Sequence, residues 1–210
     1  MKTVLCFGDS NTWGYIPASA SQRHPRDIRW TGLLQKLLGD EYVIVENGLN
    51  GRTTCFDDPT WPGRNGYTDL PNALETQYPL DLVVIMLGTN DAKVFFPGQS
   101  VACGRALELY AQRIRGQGFG PDKGDPQILV ISPILLSDKV VSDSFDPVNS
   151  VTFTKGLSGV YKRYCEALGL HFMDASQAAQ ADDADGIHMN PENHRKLAEA
   201  VCEKVRAILE

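Results

Sequence analysis

The chain has 210 residues and a formal net charge of −6, with 42% hydrophobic and 22% charged residues. This length suits one α/β domain with its own core, and the acidic balance argues against a nucleic-acid partner, which requires clustered positive charge. The longest unbroken apolar run covers residues 82–87, far below the roughly 18 to 20 residues that a membrane-spanning helix needs. We therefore expect a single domain over residues 1–210 that binds neither nucleic acid nor a membrane.

Neither a leader segment nor a disulfide framework can be read from the sequence. Gly8 and Asp9 interrupt the short apolar stretch at the N-terminus, so no signal-peptide pattern is formed, and we expect a cytoplasmic protein. The cysteines are odd in number, widely spaced and without a C-x-x-C pair, which predicts free thiols that mostly fill core positions. They are Cys6, Cys55, Cys103, Cys165 and Cys202.

Strand and helix patterns alternate along the whole chain. Apolar or β-branched runs bounded by Gly, Pro, Asn or Asp predict five strands, and hydrophobic periodicity predicts a helix after each of them. The strands are expected at residues 3–7, 42–46, 80–87, 127–131 and 171–173, and the helices at 28–38, 68–77, 101–115, 152–167 and 191–209. This order predicts an α/β fold, a three-layer α/β/α doubly wound domain with a five-stranded parallel sheet.

Two connections are longer than is usual in such a domain. Residues 57–67 are rich in Pro, Gly and Trp, and residues 135–150 are rich in Ser, Asp and Pro. Long connections in a compact domain tend to be binding loops or mobile lids. The last helix is expected to begin directly after Asn190, which can cap its free N–H groups, with Pro191 at the first helical position.

Polar segments follow the predicted strands at the edge where parallel sheets bind ligands. They are G-D-S-N-T-W-G at residues 8–14, N-G-L-N-G-R at 47–52, G-T-N-D at 88–91 and D-G-I-H at 185–188. A serine, an amide side chain, glycines with free N–H groups and an acid three residues before a histidine are the components of an acyl-transfer site.

In this combination the chain resembles the SGNH (GDSL-type) hydrolase superfamily, whose four motif blocks occur here in order. Ser10 lies in G-D-S, Gly51 in N-G-L-N-G, Asn90 in G-T-N-D, and Asp185 with His188 in D-G-I-H. Segments such as F-G-D-S-N-T-W-G-Y-I-P, R-T-T and D-D-P-T are similar to the bacterial arylesterase and acyltransferase branch. The resemblance implies the flavodoxin-like SGNH hydrolase fold.

Each residue then has an expected role. His188 accepts the proton of the Ser10 hydroxyl during attack, and Asp185 holds the imidazole tautomer and stabilises the imidazolium. The oxyanion of the tetrahedral intermediate is expected to accept hydrogen bonds from the backbone N–H groups of Ser10 and Gly51 and from the Asn90 amide. Glycine suits position 51 because it places no side chain against the acyl group.

Residues in these segments are also candidates for substrate contact, since short loops offer little core for a large side chain to enter. The candidates are Asn11, where the name-giving motif has leucine, Trp13, Trp61, Phe95 and Ile187.

Other titratable residues have simpler interpretations. Asp9 is expected to order its motif by hydrogen bonding, and His194 to be a surface or packing residue. A calcium-loop pattern can be traced from position 181, but Ala181 lacks the required carboxylate and Pro191 opens a helix inside the loop. We therefore expect no metal ion.

The predicted function is a serine esterase that hydrolyses small, acetyl-like esters through an acyl-enzyme, with acyl transfer to alcohols as a side activity. A carbohydrate O-deacetylase is the alternative, because the same residues would serve it. A non-catalytic flavin or phosphate binding module is disfavoured by the absence of G-x-G-x-x-G and G-x-x-x-x-G-K-[ST], so we expect no cofactor. The resemblance further implies a homo-oligomer in which subunit contacts narrow the approach to a small-molecule ester site.

Overall fold

A computed structural model describes residues 1–96 and 98–210. Five strands form one all-parallel sheet in the order β2-β1-β3-β4-β5, which is the flavodoxin-like doubly wound order. The strands are β1 (Lys2–Gly8), β2 (Tyr42–Gly48), β3 (Leu82–Met86), β4 (Gln127–Ser132) and β5 (His171–Asp174). The predicted fold class is confirmed.

Helices cover both faces of the sheet, because strand residues alternate between two hydrophobic cores. Along β1, Leu5 and Phe7 enter one core, whereas Val4 and Cys6 enter the other. Helices α3 (Gly66–Gln77), α4 (Ser100–Ile114) and α5 (Asn149–Leu168) cover the first core, and α2 (Trp30–Leu38) and α6 (Pro191–Leu209) cover the second.

The element bounds differ from the predicted ones where hydrogen bonds outside the hydrophobic pattern decide them. The third strand is shorter than residues 80–87, because Leu80 leaves the ladder and its N–H donates to the Phe119 carbonyl at 2.8 Å. Helix α5 begins earlier than residue 152, because the Asp146 carboxylate accepts from the backbone N–H groups of Val148 and Asn149. These contacts leave the topology unchanged.

A short helix that the hydrophobic pattern did not predict follows β1. Helix α1 (Ser10–Trp13) is capped by the Asp9 carboxylate, which accepts from the Asn11 N–H at 2.9 Å. Its last turn crosses the end of β2 so closely that a Cβ on Gly48 would lie 2.1 Å from the Trp13 nitrogen. Glycine at position 48 therefore allows the helix to pass over the carboxyl edge of the sheet.

All five cysteines are free thiols, and four of them are buried. In the described part of the chain, no helix combines the length and the apolar character that crossing a bilayer requires.

Candidate active site

Three residues that are distant in sequence form one hydrogen-bonded chain beyond the carboxyl ends of the strands. The Ser10 hydroxyl, at the first position of α1, lies 2.9 Å from His188 Nε2. His188 Nδ1 lies 2.7 Å from Asp185 Oδ2. The structure thus brings together the serine, histidine and aspartate that the motifs singled out.

The Asp185 carboxylate is surrounded by N–H donors. One oxygen accepts from the backbone N–H groups of Ile187 and His188, both at 2.9 Å, and the other accepts from Ala18 N at 3.1 Å as well as from His188 Nδ1. Burial alone would raise the pKa of Asp185, but the hydrogen bonds and the charge of His188 outweigh it and lower the pKa to about 2. An ionised carboxylate keeps the proton on Nδ1, which leaves Nε2 free to accept from Ser10.

One face of the His188 imidazole is covered by Tyr15. The two rings are stacked, with centroids 4.3 Å apart and planes inclined by 24°. The Tyr15 hydroxyl donates to the Ser19 carbonyl at 2.8 Å and accepts from Ser21 N at 3.2 Å. Tyr15 was not among the predicted site residues, although it directly follows the G-D-S-N-T-W-G segment.

A cavity of about 300 Å³ opens beside Ser10, and both Gly51 and Asn90 line it. Gly51 has φ +79°, and a Cβ at this position would lie 2.8 Å from the Trp61 ring. Within the described residues, the backbone N–H groups of Ser10 and Gly51 have no protein acceptor. Asn90 Nδ2 donates to the Arg52 carbonyl at 3.1 Å, which leaves its second N–H uncommitted. Three N–H donors without an acceptor among the described residues, from Ser10, Gly51 and Asn90, therefore belong to residues that line the same cavity.

The loop that carries Gly51 is held by the buried guanidinium of Arg52. Arg52 donates to the carbonyls of Gly8 at 2.8 Å and Asn47 at 2.6 Å, and it pairs with Asp69 at 2.5 Å. The guanidinium also lies 4.0 Å from the centre of the Phe7 ring. These contacts fix the loop after β2 against the ends of β1 and β2, a role that single-sequence reasoning did not assign.

A buried ion pair ties the 57–67 loop to the segment after β3. Lys93 Nζ lies 2.7 Å from Asp58 Oδ2, and both side chains are buried. The other Asp58 oxygen accepts from the backbone N–H groups of Thr60 at 2.9 Å and Trp61 at 3.0 Å. Burial raises the pKa of Asp58, but the contacts with Lys93 and Thr60 leave it below its usual value.

The 135–150 loop is bonded to the segment that carries Asp185 and His188. Val141 N donates to the Asp185 carbonyl at 3.0 Å, and Ser137 N donates to the Gly186 carbonyl at 2.9 Å. Gly186 has φ +71°, and a Cβ there would lie 2.5 Å from Val140 N. Both long connections therefore border the cavity.

Of the predicted substrate contacts, Trp61 and Ile187 line the cavity. Asn11 does not, because its side chain is buried and both of its polar ends are used. Its Nδ2 donates to the Ile187 carbonyl at 3.2 Å and its Oδ1 accepts from Met189 N at 3.1 Å. Asn11 thus holds the D-G-I-H segment rather than presenting a polar group to the pocket.

Trp13 and Phe95 are likewise outside the described lining of the cavity. The Arg23 guanidinium lies over the Trp13 ring, 5.0 Å from its centre. Phe95 packs edge-on against Phe96, with ring centroids 5.1 Å apart, and remains partly exposed. Both rings therefore contact neighbouring side chains outside this lining.

The remaining titratable candidates have structural partners. Asp9 is buried, which raises its pKa to about 6, and it caps α1 as expected. His194 is also fully buried, and its Nδ1 accepts from Trp30 N at 3.3 Å, so it is a packing residue. Asp183, which lies at the third place of the calcium-loop pattern that starts at position 181, pairs with Lys139. The described residues contain no group of three or more metal-ligating side chains.

The fold and the hydrogen-bonded residues Ser10, His188 and Asp185 define a hydrolase of the GDSL type. The chain belongs to the GDSL-like lipase/acylhydrolase family, whose model matches residues 6–196. The structure is similar to the native aryl esterase of M. smegmatis, with a TM-score of 0.93 and 36% identity over the whole of both chains. It is equally similar to a carbohydrate acetylesterase from Sinorhizobium meliloti, with a TM-score of 0.93 and 37% identity over 99% of this chain and 100% of that one.

One curated relative is an acetylxylan esterase from Xylanibacter ruminicola, 27% identical over 97% of this chain. The chain spans only 43% of the length of that relative. Together these similarities confirm the predicted family and the predicted class of carboxylic ester hydrolase.

Proposed function

We propose that this protein is a serine esterase that removes short acyl groups, acetyl in particular, from alcohols. The proposal rests on the series of hydrogen bonds from Asp185 through His188 to Ser10. Ser10 lies at a cavity whose lining residues carry three N–H donors without an acceptor in the described part of the chain. A nucleophile, its base, the orienting acid and donors for an oxyanion are together what acyl transfer needs.

In the first step, Ser10 Oγ attacks the carbonyl carbon of the ester while His188 Nε2 takes the hydroxyl proton. The negative charge on the former carbonyl oxygen is stabilised by the N–H groups of Ser10 and Gly51 and by the Asn90 amide. The Asp185 carboxylate stabilises the imidazolium. The bond to the alcohol then breaks as Nε2 returns the proton to the leaving oxygen.

In the second step, water attacks the acyl group on Ser10 and His188 again takes a proton. The bond to Ser10 Oγ breaks, the carboxylic acid leaves and the serine hydroxyl is restored. An alcohol in place of water would give a new ester, so acyl transfer needs no further residue.

A short acyl group is supported by the size and lining of the cavity. Its volume of about 300 Å³ is at the lower end of the roughly 300 to 1,000 Å³ that small-molecule sites occupy. Trp61, Phe145 and Ile187 supply apolar walls. Deacetylation of carbohydrates is the second candidate, supported by the carbohydrate acetylesterase and acetylxylan esterase among the relatives.

The nucleophile is tested with Ser10→Ala. We expect hydrolysis of p-nitrophenyl acetate to fall by a factor of about 10⁴ or more, while the far-ultraviolet circular dichroism is unchanged because only the small hydroxyl at the first position of α1 is removed. A fluorophosphonate should label Ser10 in the wild-type protein and leave the variant unlabelled. Labelling of another residue, or wild-type rates in the variant, would reject the proposal.

The role of the acid is tested with Asp185→Asn. The amide cannot stabilise the imidazolium and permits the wrong tautomer, so kcat should fall by a factor of about 10⁴. Near-wild-type activity would mean that another group orients His188.

We also propose that the protein is a cytoplasmic homo-oligomer whose subunit contacts restrict access to the cavity. Support comes from exposed apolar side chains on loops that border the site, which are Trp61, Val94, Phe95 and Val148. Light scattering at micromolar concentration should give a mass that is a multiple of 23.1 kDa, and a monomer mass would contradict the assembly. Cell fractionation tests the compartment.

A further inference from the structure

A second depression, of about 410 Å³, adjoins the cavity beside Ser10. The two spaces share Tyr15, Ser142, Ile187 and His188 as lining residues. The second depression is otherwise lined by Ala18, Ser19, Val141, Ala184 and Asp185. His188 and its stacked Tyr15 therefore lie on the boundary between the two.

The catalytic geometry determines how a bound ester is oriented relative to the two spaces. The carbonyl oxygen must face Gly51 and Asn90, which line only the first cavity. The oxygen of the leaving alcohol must reach His188 Nε2 to receive its proton. The alcohol part of the ester therefore continues past His188, away from the oxyanion donors, and the adjoining depression is the space that receives it.

The lining of the second depression suits a neutral molecule. Among its described residues there is no Lys, Arg or Glu, and Asp185 is the only carboxylate, whose oxygens both already accept from donors of Ala18, Ile187 and His188. No free charge is left to bind an ionic group.

Hydroxyl and apolar groups supply the remaining contacts. Ser19 and Ser142 carry hydroxyl groups, while Val141 and Ala184 are exposed apolar residues. A ring with hydroxyl groups on its rim and C–H groups on its faces matches this mixture, whereas a long alkyl chain would leave the hydroxyl groups without new partners.

We propose that the second depression binds the alcohol part of the ester, and that this alcohol is a neutral polyol or glycoside. The inference rests on the proposed esterase function and specifies its substrate. The same space would hold an acceptor alcohol during transfer. The acceptor hydroxyl gives its proton to His188 Nε2 as its oxygen bonds to the acyl carbon, and Ser10 Oγ leaves with that proton.

The proposal is tested with Ala184→Phe and Val141→Phe, which add a large side chain to the second depression. Both residues are exposed and line this depression but not the cavity beside Ser10. Two acetates are compared, methyl acetate and a monoacetylated methyl xyloside, which share the acyl group and differ in the alcohol. We expect the ratio of kcat/KM for the glycoside to that for methyl acetate to fall by about tenfold or more in each variant. Ala207→Phe, an exposed substitution on α6, is the matched control and should leave the ratio unchanged.

A second measurement separates the alcohol from the acyl group. Methyl acetate and methyl butyrate differ only in the acyl chain, so their ratio should stay the same in Ala184→Phe. A change in this ratio, or an unchanged glycoside ratio in both variants, overturns the inference. If the wild-type protein hydrolyses none of these esters and is not labelled by a fluorophosphonate, the proposed esterase function itself fails, and the subsite fails with it.

Discussion

The ring of Tyr15 is stacked on the imidazole of His188, and its hydroxyl is hydrogen-bonded to the loop over residues 19–21. In the proposed mechanism His188 becomes an imidazolium during attack, and we expect the aromatic face to stabilise this positive charge. Such contacts contribute about 0.5 to 2 kcal/mol. We therefore expect Tyr15 to act on His188 as a positioning residue in addition to forming part of the cavity wall.

Replacing Tyr15 separates the ring from the hydroxyl. In Tyr15→Leu we expect kcat for p-nitrophenyl acetate to fall by about 3- to 30-fold, with a smaller change in KM, since the ring acts mainly on the charged transition state. Tyr15→Phe keeps the ring and should retain most of kcat. Equal losses of kcat in both variants would mean that the hydrogen bonds of the Tyr15 hydroxyl, and not its ring, cause the effect.

Asn11 connects the nucleophile segment to the backbone on both sides of His188. Asn11→Leu restores the residue of the name-giving motif but leaves the Ile187 carbonyl and Met189 N without a buried partner. We expect the free energy of unfolding to fall by about 1 to 3 kcal/mol and kcat to fall with it, because His188 is less firmly placed. Urea unfolding and initial rates measure the two effects.

The control for Asn11 is Asn72→Leu, an exposed substitution on α3. It should change neither the unfolding midpoint nor the rate. A fully stable and active Asn11→Leu protein would show that the two bonds contribute nothing to the placement of His188.

The contrast between Asn11 and Ser10 shows what a single sequence can reveal. Ser10 could be found because its motif follows a strand, and strand ends in a parallel sheet gather at one edge. The partners of Asn11 lie 176 and 178 positions away, and no local pattern reports such a contact. The pairing of Lys93 with Asp58 and the stacking of Tyr15 on His188 escaped prediction for the same reason, since each depends on how two loops meet.

The Asp58–Lys93 pair provides a third prediction. Lys93→Met leaves the Asp58 carboxylate buried without its cation, and Asp58→Asn does the reverse. Each single change should destabilise the protein by about 3 to 5 kcal/mol. The free energy of unfolding of the double variant should fall by clearly less than the sum of the two single losses, since the double variant buries no unpaired charge.

Urea unfolding of the four proteins in this cycle measures the coupling. Strictly additive losses would contradict a direct contribution of the pair. Rates on p-nitrophenyl acetate should follow stability, because the pair connects the Trp61 loop to the segment that carries Asn90.

The dependence of stability on pH provides the fourth prediction. Burial lowers the pKa of His194 from 6.5 to about 3, so the folded protein excludes a proton that the unfolded chain binds. The contribution of His194 to the free energy of unfolding is fully present above pH 6.5. It is lost as the pH falls from 6.5 toward 3, by about 1.4 kcal/mol per pH unit.

Asp9 acts in the opposite direction, because its raised pKa favours a proton in the folded state and this contribution is lost as the pH rises from 3.8 to about 6. The quantity to follow is therefore the difference in the free energy of unfolding between the wild-type protein and His194→Asn. The amide oxygen of the introduced side chain can still accept from Trp30 N. This difference should shrink steadily as the pH is lowered from 6.5 to 4.5. A difference that is independent of pH would show that His194 binds a proton equally in both states.

The hydrogen bond between Ser10 and His188 joins residues that are 178 positions apart. Ser10 follows β1 and His188 lies beyond β5, so closing this contact requires the chain between them to have ordered. A growing chain that has not yet supplied the D-G-I-H segment holds Ser10 without its hydrogen-bond partner His188, so under the proposed mechanism we expect it not to attack esters. The recovery of ester hydrolysis during refolding therefore reports the completion of the sheet, whereas circular dichroism registers its separate parts.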